Sequence, residues 1–530
     1  DRKINKFFFF KNLEKICRKK YPLFQSYILK KNHEHYQVVL EEFVKILNDN
    51  LNLTLKKNSW NLIIGPWLKN SIDIFEHKKI IIKDKNFFRN YYKERKFNKI
   101  FIPNDYTEYM DSLNNDQVNQ SLFLYLIHKN SNFKFENKKL NLNSLILFLK
   151  SIRSIINILF FRFSNMFSSN KTIIIDNPFT SSTVDKKNID ILKKKNKNVI
   201  FYPYSNLRNF VNFFVFGLNF KKRETIIRNL NSNQSKIKNT NLLIYLFATI
   251  PINYFERFYL IKFFSKILFF GRSFYSRVAQ LDNEFFKFYR ANNKSKLFLD
   301  QHGGNYSFIN EKYYLYFEKF YGNKIFFWDR LNNKKFSSKF NSLKIISEGM
   351  KKYDLRVENE ICYIMSFNKK YDYQNIFHEH FDYNYSINSL LNFCNNTNKF
   401  VKIKIAPQRH EHQIDEEDLL KIKIKKNQII QNREEIFKSK ILVFDGLGSG
   451  VFETRIYDLP FIAIVKKKNY FLSKVGIEMI DKLKNANLIF EDSKKAAKYI
   501  NQITNIDRWW KQRKNVINKI FYNKEVKFKI

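Results

Sequence analysis

The feature that most constrains this chain is a series of short apolar runs. Each is cut off by turn residues and separated from the next by longer stretches with helical spacing. In the first part they are Thr172-Ile173-Ile174-Ile175-Asp176 before Asn177-Pro178, Val199-Ile200-Phe201-Tyr202 before Pro203, and Lys296-Leu297-Phe298-Leu299-Asp300 before Gln301-His302. In the second part they are EICYIM (360–365), FVKIKI (400–405) before Ala406-Pro407, KILVF (440–444) before Asp445-Gly446, FIAIV (461–465) and NLIF (487–490). Apolar runs of this length without polar alternation are strands covered on both faces. Such strands alternating with helices build parallel α/β sheets, and there are enough here for two. The predicted fold is therefore α/β, in two sheet-bearing halves with added N-terminal helices. Two halves imply a cleft, and open parallel sheets bind ligands beyond the carboxyl ends of their strands.

The intervening segments refine this outline. Residues 36–47 (YQVVLEEFVKIL) carry apolar side chains at helical spacing. Gly65-Pro66 inside an apolar run predicts a helix that starts there and reaches Phe75, because proline fits a first turn. The Asn/Lys-rich stretch 332–341 reads as an interdomain connection, and Asp507-Arg508-Trp509-Trp510 opens a last helix. The expected domains are 1–330, 342–505 and a terminal helix within 506–530 that packs back toward the cleft. Trp60, Trp67, Trp509 and Trp510 are expected to serve packing.

Charge narrows the partners. Ninety-five Lys and Arg against 49 Asp and Glu leave a net +46. That points to a polyanion. Lys is spread along the whole chain and Arg is scarce, whereas nucleic-acid recognition favours clustered basic residues and Arg. Nucleic acid is set aside; anionic lipid headgroups or anionic substrates are favoured. Three cationic, Phe-rich stretches, 140–167, 206–223 and 241–272, read either as core helices with snorkelling Lys and Arg or as an interfacial surface resting on a membrane. No window is long and apolar enough to predict a spanning helix. With 58 Phe and 30 Tyr the chain is not disordered, and three Cys exclude a disulfide scaffold and a four-thiolate zinc site. A reducing compartment is expected.

Three turns could carry chemistry. The first is Asp445-Gly446-Leu447-Gly448-Ser449-Gly450-Val451-Phe452-Glu453, between a buried strand and a helix. Gly446, Gly448 and Gly450 let backbone approach an anion, the helix N-terminus stabilises phosphate, Ser449 adds a hydroxyl, and Glu453 could accept from a sugar hydroxyl. A tight turn with Ser449 as N-cap is the plainer reading. The second is Gln301-His302-Gly303-Gly304-Asn305. There His302 could take a proton from an attacking hydroxyl, with Gln301, Gly303, Gly304 and Asn305 beside it. In the third, Lys404 and Arg409 could bind diphosphate. His410 and His412 are too weak a pair to predict a metal, and no metal or cofactor is expected.

SWNLIIGPWL (59–68), KLFLDQHGGNY (296–306), ILVFDGLGSGVFETRIYDLPFIAIV (441–465) and DRWW (507–510) together resemble a family of transferases from O-antigen and other surface-polysaccharide gene clusters. The resemblance runs in order over nearly the whole chain. It implies a GT-B architecture, two Rossmann-like domains facing across a cleft, and it is similar to teichoic-acid glycerophosphotransferases. By that likeness His302 matches the candidate base at the acceptor, and Gly448, Ser449 and Glu453 match the donor site. This chain departs at Gly450-Val451 and Arg455, and has Ala406-Pro407 where many sugar-nucleotide enzymes have His-Pro. The implied function is a bacterial glycosyltransferase moving a sugar from a nucleotide-activated donor to a glycan or lipid-linked acceptor of a surface polysaccharide. It would be cytoplasmic or peripheral on the inner membrane. The alternatives are a CDP-alcohol glycerophospho- or ribitol-phosphotransferase and a non-catalytic basic binder of membrane or polyanion.

Overall fold

The apolar runs become parallel strands in the structure, a computed structural model. It describes residues 24–81, 99–112, 134–136, 173–176, 199–202, 220–233, 239–269, 273–276, 283–300, 316–327, 340–342, 359–365, 383–405, 425–430, 433–436, 438–448, 458–467 and 472–521, with single positions between. The chain divides chiefly into two compact units, Tyr27–Asp300 with Phe320–Asn323, and Gln301–Lys319 with Lys324–Ile530. It is a mixed α/β fold with parallel sheets and many helices.

In the first unit, α1 (Phe24–Leu51), α2 (Lys57–Ile81), α3 (Tyr106–Ser112), α4 (Lys221–Ser232), α5 (Thr240–Thr249), α6 (Phe258–Leu268) and α7 (Glu284–Asn292) accompany six strands. β1 (Lys99–Phe101) and β2 (Lys134–Glu136) form a parallel pair. β3 (Ile173–Asp176), β4 (Val199–Tyr202), β5 (Ser273–Ser276) and β6 (Lys296–Asp300) pair in parallel in the order β4-β3-β5-β6. Three of these four were legible as apolar runs. β5, Ser-Phe-Tyr-Ser, was not, because two of its four residues are polar.

The helix expected to start at Gly65-Pro66 begins instead at Lys57 and carries Pro66 inside it. Proline has no N–H, so the Leu62 carbonyl four residues earlier loses its helical donor. The hydroxyl of Tyr321, at the end of α8 (Tyr316–Tyr321), donates to that oxygen. A distant side chain thus meets the need that would otherwise end the helix. Trp60 and Trp67 of α2 are fully buried, with ring centroids 5.1 Å from Phe258 and 5.8 Å from Phe43. They are packing residues, as expected.

Two buried charge arrangements tie the added helices down. Arg223 of α4 pairs with the Glu256 carboxylate through both Nε and Nη2 and donates to the Phe247 carbonyl. Glu284 opens α7 and accepts from the Tyr106 N–H at 2.8 Å and the Asn253 amide at 2.7 Å. Burial first, and the Asp105 charge second, push its carboxyl up to about 7. Lys287, one turn on, donates to the Tyr254 hydroxyl at 3.0 Å.

In the second unit, β7 (Lys324–Phe327) and β8 (Phe340–Ser342) pair in parallel. The connection expected over 332–341 is therefore corrected at its end, where Phe340 and Asn341 are strand; residues 332–339 lie outside the described ones. Pairing with β7 supplies backbone partners that local composition does not reveal. Next come β9 (Asn359–Ile364), α9 (Tyr383–Asn396), β10 (Val401–Lys404), α10 (Arg433–Ile436), β11 (Ser439–Phe444), β12 (Phe461–Ile464), α11 (Lys474–Asn485), β13 (Ile489–Phe490), α12 (Ser493–Asn501) and α13 (Ile506–Phe521). β9 to β13 form one parallel sheet in the order β10-β9-β11-β12-β13. α13 closes on it: Trp510 lies 5.8 Å from Phe461 of β12 and donates to Asp458, while Trp509 donates to the Tyr499 hydroxyl at 2.9 Å.

Candidate functional site

The strand order places the glycine turn. β9 comes first in this sheet, its successor β10 lies on one side, and β11 lies on the other. The chain therefore leaves β9 and β11 in opposite directions, the switch point beyond whose strand ends open α/β sheets bind ligands. Phe444, the last residue of β11, is in register with Ile364, the last of β9, and the Asp445 N–H donates to the Ile364 carbonyl at 3.0 Å. The turn of Asp445, Gly446, Leu447 and Gly448 thus stands at that switch point. Helical positions follow at Gly450, Val451 and Thr454. The Val451 N–H donates to the Gly448 carbonyl at 3.1 Å, and the Leu447 N–H to the Tyr470 hydroxyl at 3.0 Å.

The three glycines have three different reasons to be there. Gly446 adopts φ 114°, which side chains rarely tolerate. A Cβ on Gly450 would lie 2.6 Å from Cε1 of Phe444, inside the core. A Cβ on Gly448 would meet nothing within 4 Å. Turn geometry and packing account for two of them, and Gly448 borders open space. Ser449 and Glu453 lie outside the described residues.

Beneath the turn is a group to which sequence reasoning gave no role. Asp445 is 1% exposed; its Oδ2 accepts from the Ser386 hydroxyl of α9, and its Oδ1 has no hydrogen-bond partner among the described residues. Burial pushes the carboxyl up to about 7, against a smaller opposing effect of the Ser386 hydroxyl. An aspartate between a buried strand and a glycine turn was the available signal. Ser386, 59 positions away, gave none.

Lys404 ends β10, so β9 stands between it and β11, roughly 10 Å across at ordinary strand spacing. Its ammonium is 3.4 Å from the Ile430 carbonyl. The structure puts Lys404 at the same sheet edge as the turn but not against it. His302, Gln301, Gly303, Gly304, Asn305 and Arg409 lie outside the described residues, as do His410 and His412. β6, which leads to His302, neighbours β5. The buried Cys362 thiol is pushed up to about 12 and that of Cys394 to about 11, both by burial, so neither is a nucleophile near neutral pH. Among the described residues no group of three or more His, Cys, Asp or Glu could hold a metal, and no helix is long and apolar enough to cross a membrane.

A family model described as "LIC12162 family transferase" matches residues 4–527. No curated protein matches the chain. Among solved structures, a histidine-to-alanine variant of the wall teichoic acid polymerase TagF is similar over 72% of this chain and 94% of that one, with 13% identity and a TM-score of 0.32.

Proposed function

The chain belongs to the LIC12162 family of transferases, and from that premise we propose that it moves a sugar from a nucleotide-activated donor to a surface-polysaccharide acceptor. The observation that carries the reading is the turn at Gly446, Gly448 and Gly450 beyond β11: it stands at the switch point, and Gly448 borders open space. In this reading the diphosphate of the donor sits against the turn, where backbone N–H groups and the dipole of the following helix stabilise negative charge that grows as the donor bond breaks. Ser449 and Glu453 contact the donor, Lys404 and Arg409 add cations, and His302 removes the acceptor's proton, with Gln301, Gly303, Gly304 and Asn305 around the acceptor. The reading assigns residues 1–330 and 342–505 to the acceptor and donor lobes of a GT-B-like enzyme, with the helix in 506–530 closing the second. No metal is needed if those cations suffice.

Peripheral contact with an anionic bilayer fits the same role. Tyr259 and Phe263 occupy one face of α6 and are 55% and 58% exposed, with Lys262 and Lys266 next to them. The reaction is tested with a panel of donors in a thermal-shift assay, followed by transfer assays on His302→Ala. Stabilisation by a nucleotide sugar, with transfer abolished and donor binding kept in the variant, supports the reading. Stabilisation by cytidine nucleotides alone would move the assignment to CDP-alcohol phosphotransfer or CMP-sugar chemistry. Unchanged turnover would remove His302 from the mechanism.

A further inference from the structure

Asp445 combines three properties. It is the residue between β11 and the glycine turn, its side chain is buried, and one carboxyl oxygen has no partner among the described residues. A buried carboxylate with an empty oxygen is costly, whereas a protonated carboxyl is far less so. The influences on it are burial and the Ser386 hydroxyl, and no charged side chain among the described residues adds to them. Around it, β9 contributes the Ile364 carbonyl at the Asp445 N–H, α9 contributes Ser386, and the Tyr470 phenol sits two residues along, on the Leu447 N–H.

We propose that Asp445 sets the charge beneath the turn, so that phosphate-bearing ligands bind at Gly446, Gly448 and Gly450 while its carboxyl is protonated and are repelled once it ionises. Asp445 is then a positioning residue that acts through the turn, not a group that touches the reacting atoms. The inference rests on the donor-site reading above and adds a pH dependence to it. A negative charge one residue from a bound phosphate, in a water-poor environment, weakens that phosphate's binding. Linkage makes the effect reciprocal: a bound anion holds the proton on Asp445 more firmly, so binding near pH 7 takes up protons.

The experiment uses UDP-glucose and CDP-glycerol as probes, because their diester phosphates keep constant charge between pH 6 and 8. Affinity for the wild-type chain should fall about tenfold across that range, the fold-change expected for one nearby charge at modest effective dielectric. Calorimetry in two buffers of different ionisation heat should show proton uptake, a measurement that needs no variant. Asp445→Asn should bind with a flat pH profile. Ser386→Ala removes the hydroxyl that favours the carboxylate, so its fall should come at higher pH. A wild-type profile that is flat with no proton uptake, or one that Asp445→Asn leaves unchanged, overturns the inference while the donor-site reading stands. Failure of both probes to bind at any pH overturns the donor-site reading, and this inference with it.

Discussion

The hydroxyl of Tyr321 donates to the carbonyl of Leu62, the oxygen that Pro66 leaves without a donor in α2. Tyr321 is buried and Leu62 half-buried, and the phenol supplies the donor that the missing N–H would have provided.

Tyr321→Phe should therefore destabilise the chain by about 1 kcal/mol, the net worth of one part-buried hydrogen bond. Pro66→Ala restores the helical N–H, and in that background Tyr321→Phe should cost much less. Denaturant unfolding of the four proteins of this cycle measures the coupling. Equal costs in both backgrounds would disprove the assignment.

The glycines of the turn separate structure from binding. Gly450→Ala drives a Cβ into the Phe444 ring and should cost about 1–3 kcal/mol by overpacking. Gly446→Ala strains a φ of 114° and should cost a similar amount, about 1–3 kcal/mol. Gly448→Ala should leave the melting temperature nearly unchanged and weaken donor binding on the order of tenfold, ~1.4 kcal/mol. Normal donor affinity in Gly448→Ala would take the open side of the turn out of the donor site.

Stability should depend on pH in a direction unusual for carboxylates. Asp445 and Glu284 are both pushed up to about 7 in the fold. In the unfolded chain they ionise near 4. Between those values the folded state holds more protons, so stability falls as pH rises from about 4 to about 7 and levels off above. Asp445→Asn and Glu284→Gln should each flatten part of that fall, and urea midpoints at several pH values test it. A steeper fall in either variant would contradict the assigned direction.

The exposed face of α6 should bind membranes. Phe263→Ser should reduce co-sedimentation with vesicles containing phosphatidylglycerol while leaving the melting temperature nearly unchanged, since the ring is 58% exposed. Added salt should weaken the wild-type interaction. Equal sedimentation of both proteins would assign that face another role.

The sequence by itself determined the parallel sheets. Runs such as Ile173–Asp176, Val199–Tyr202 and Phe461–Ile464 are apolar on both sides and end in turn residues, so burial on both faces follows from composition whatever their neighbours are. It also marked the turn at 446–450 as a point of backbone approach. The short strands β5 and β8 escaped because their residues carry no apolar pattern, and β5 pairs with β3, far earlier in the chain. Only the tertiary structure decided that β11 stands beside β9, that burial raises the Asp445 carboxyl against the pull of Ser386, and that Tyr321 rescues Pro66. Local periodicity encodes which side chains leave water. Pairing order, the field at a buried carboxyl and the donor for an orphaned carbonyl depend on groups that only folding brings within reach.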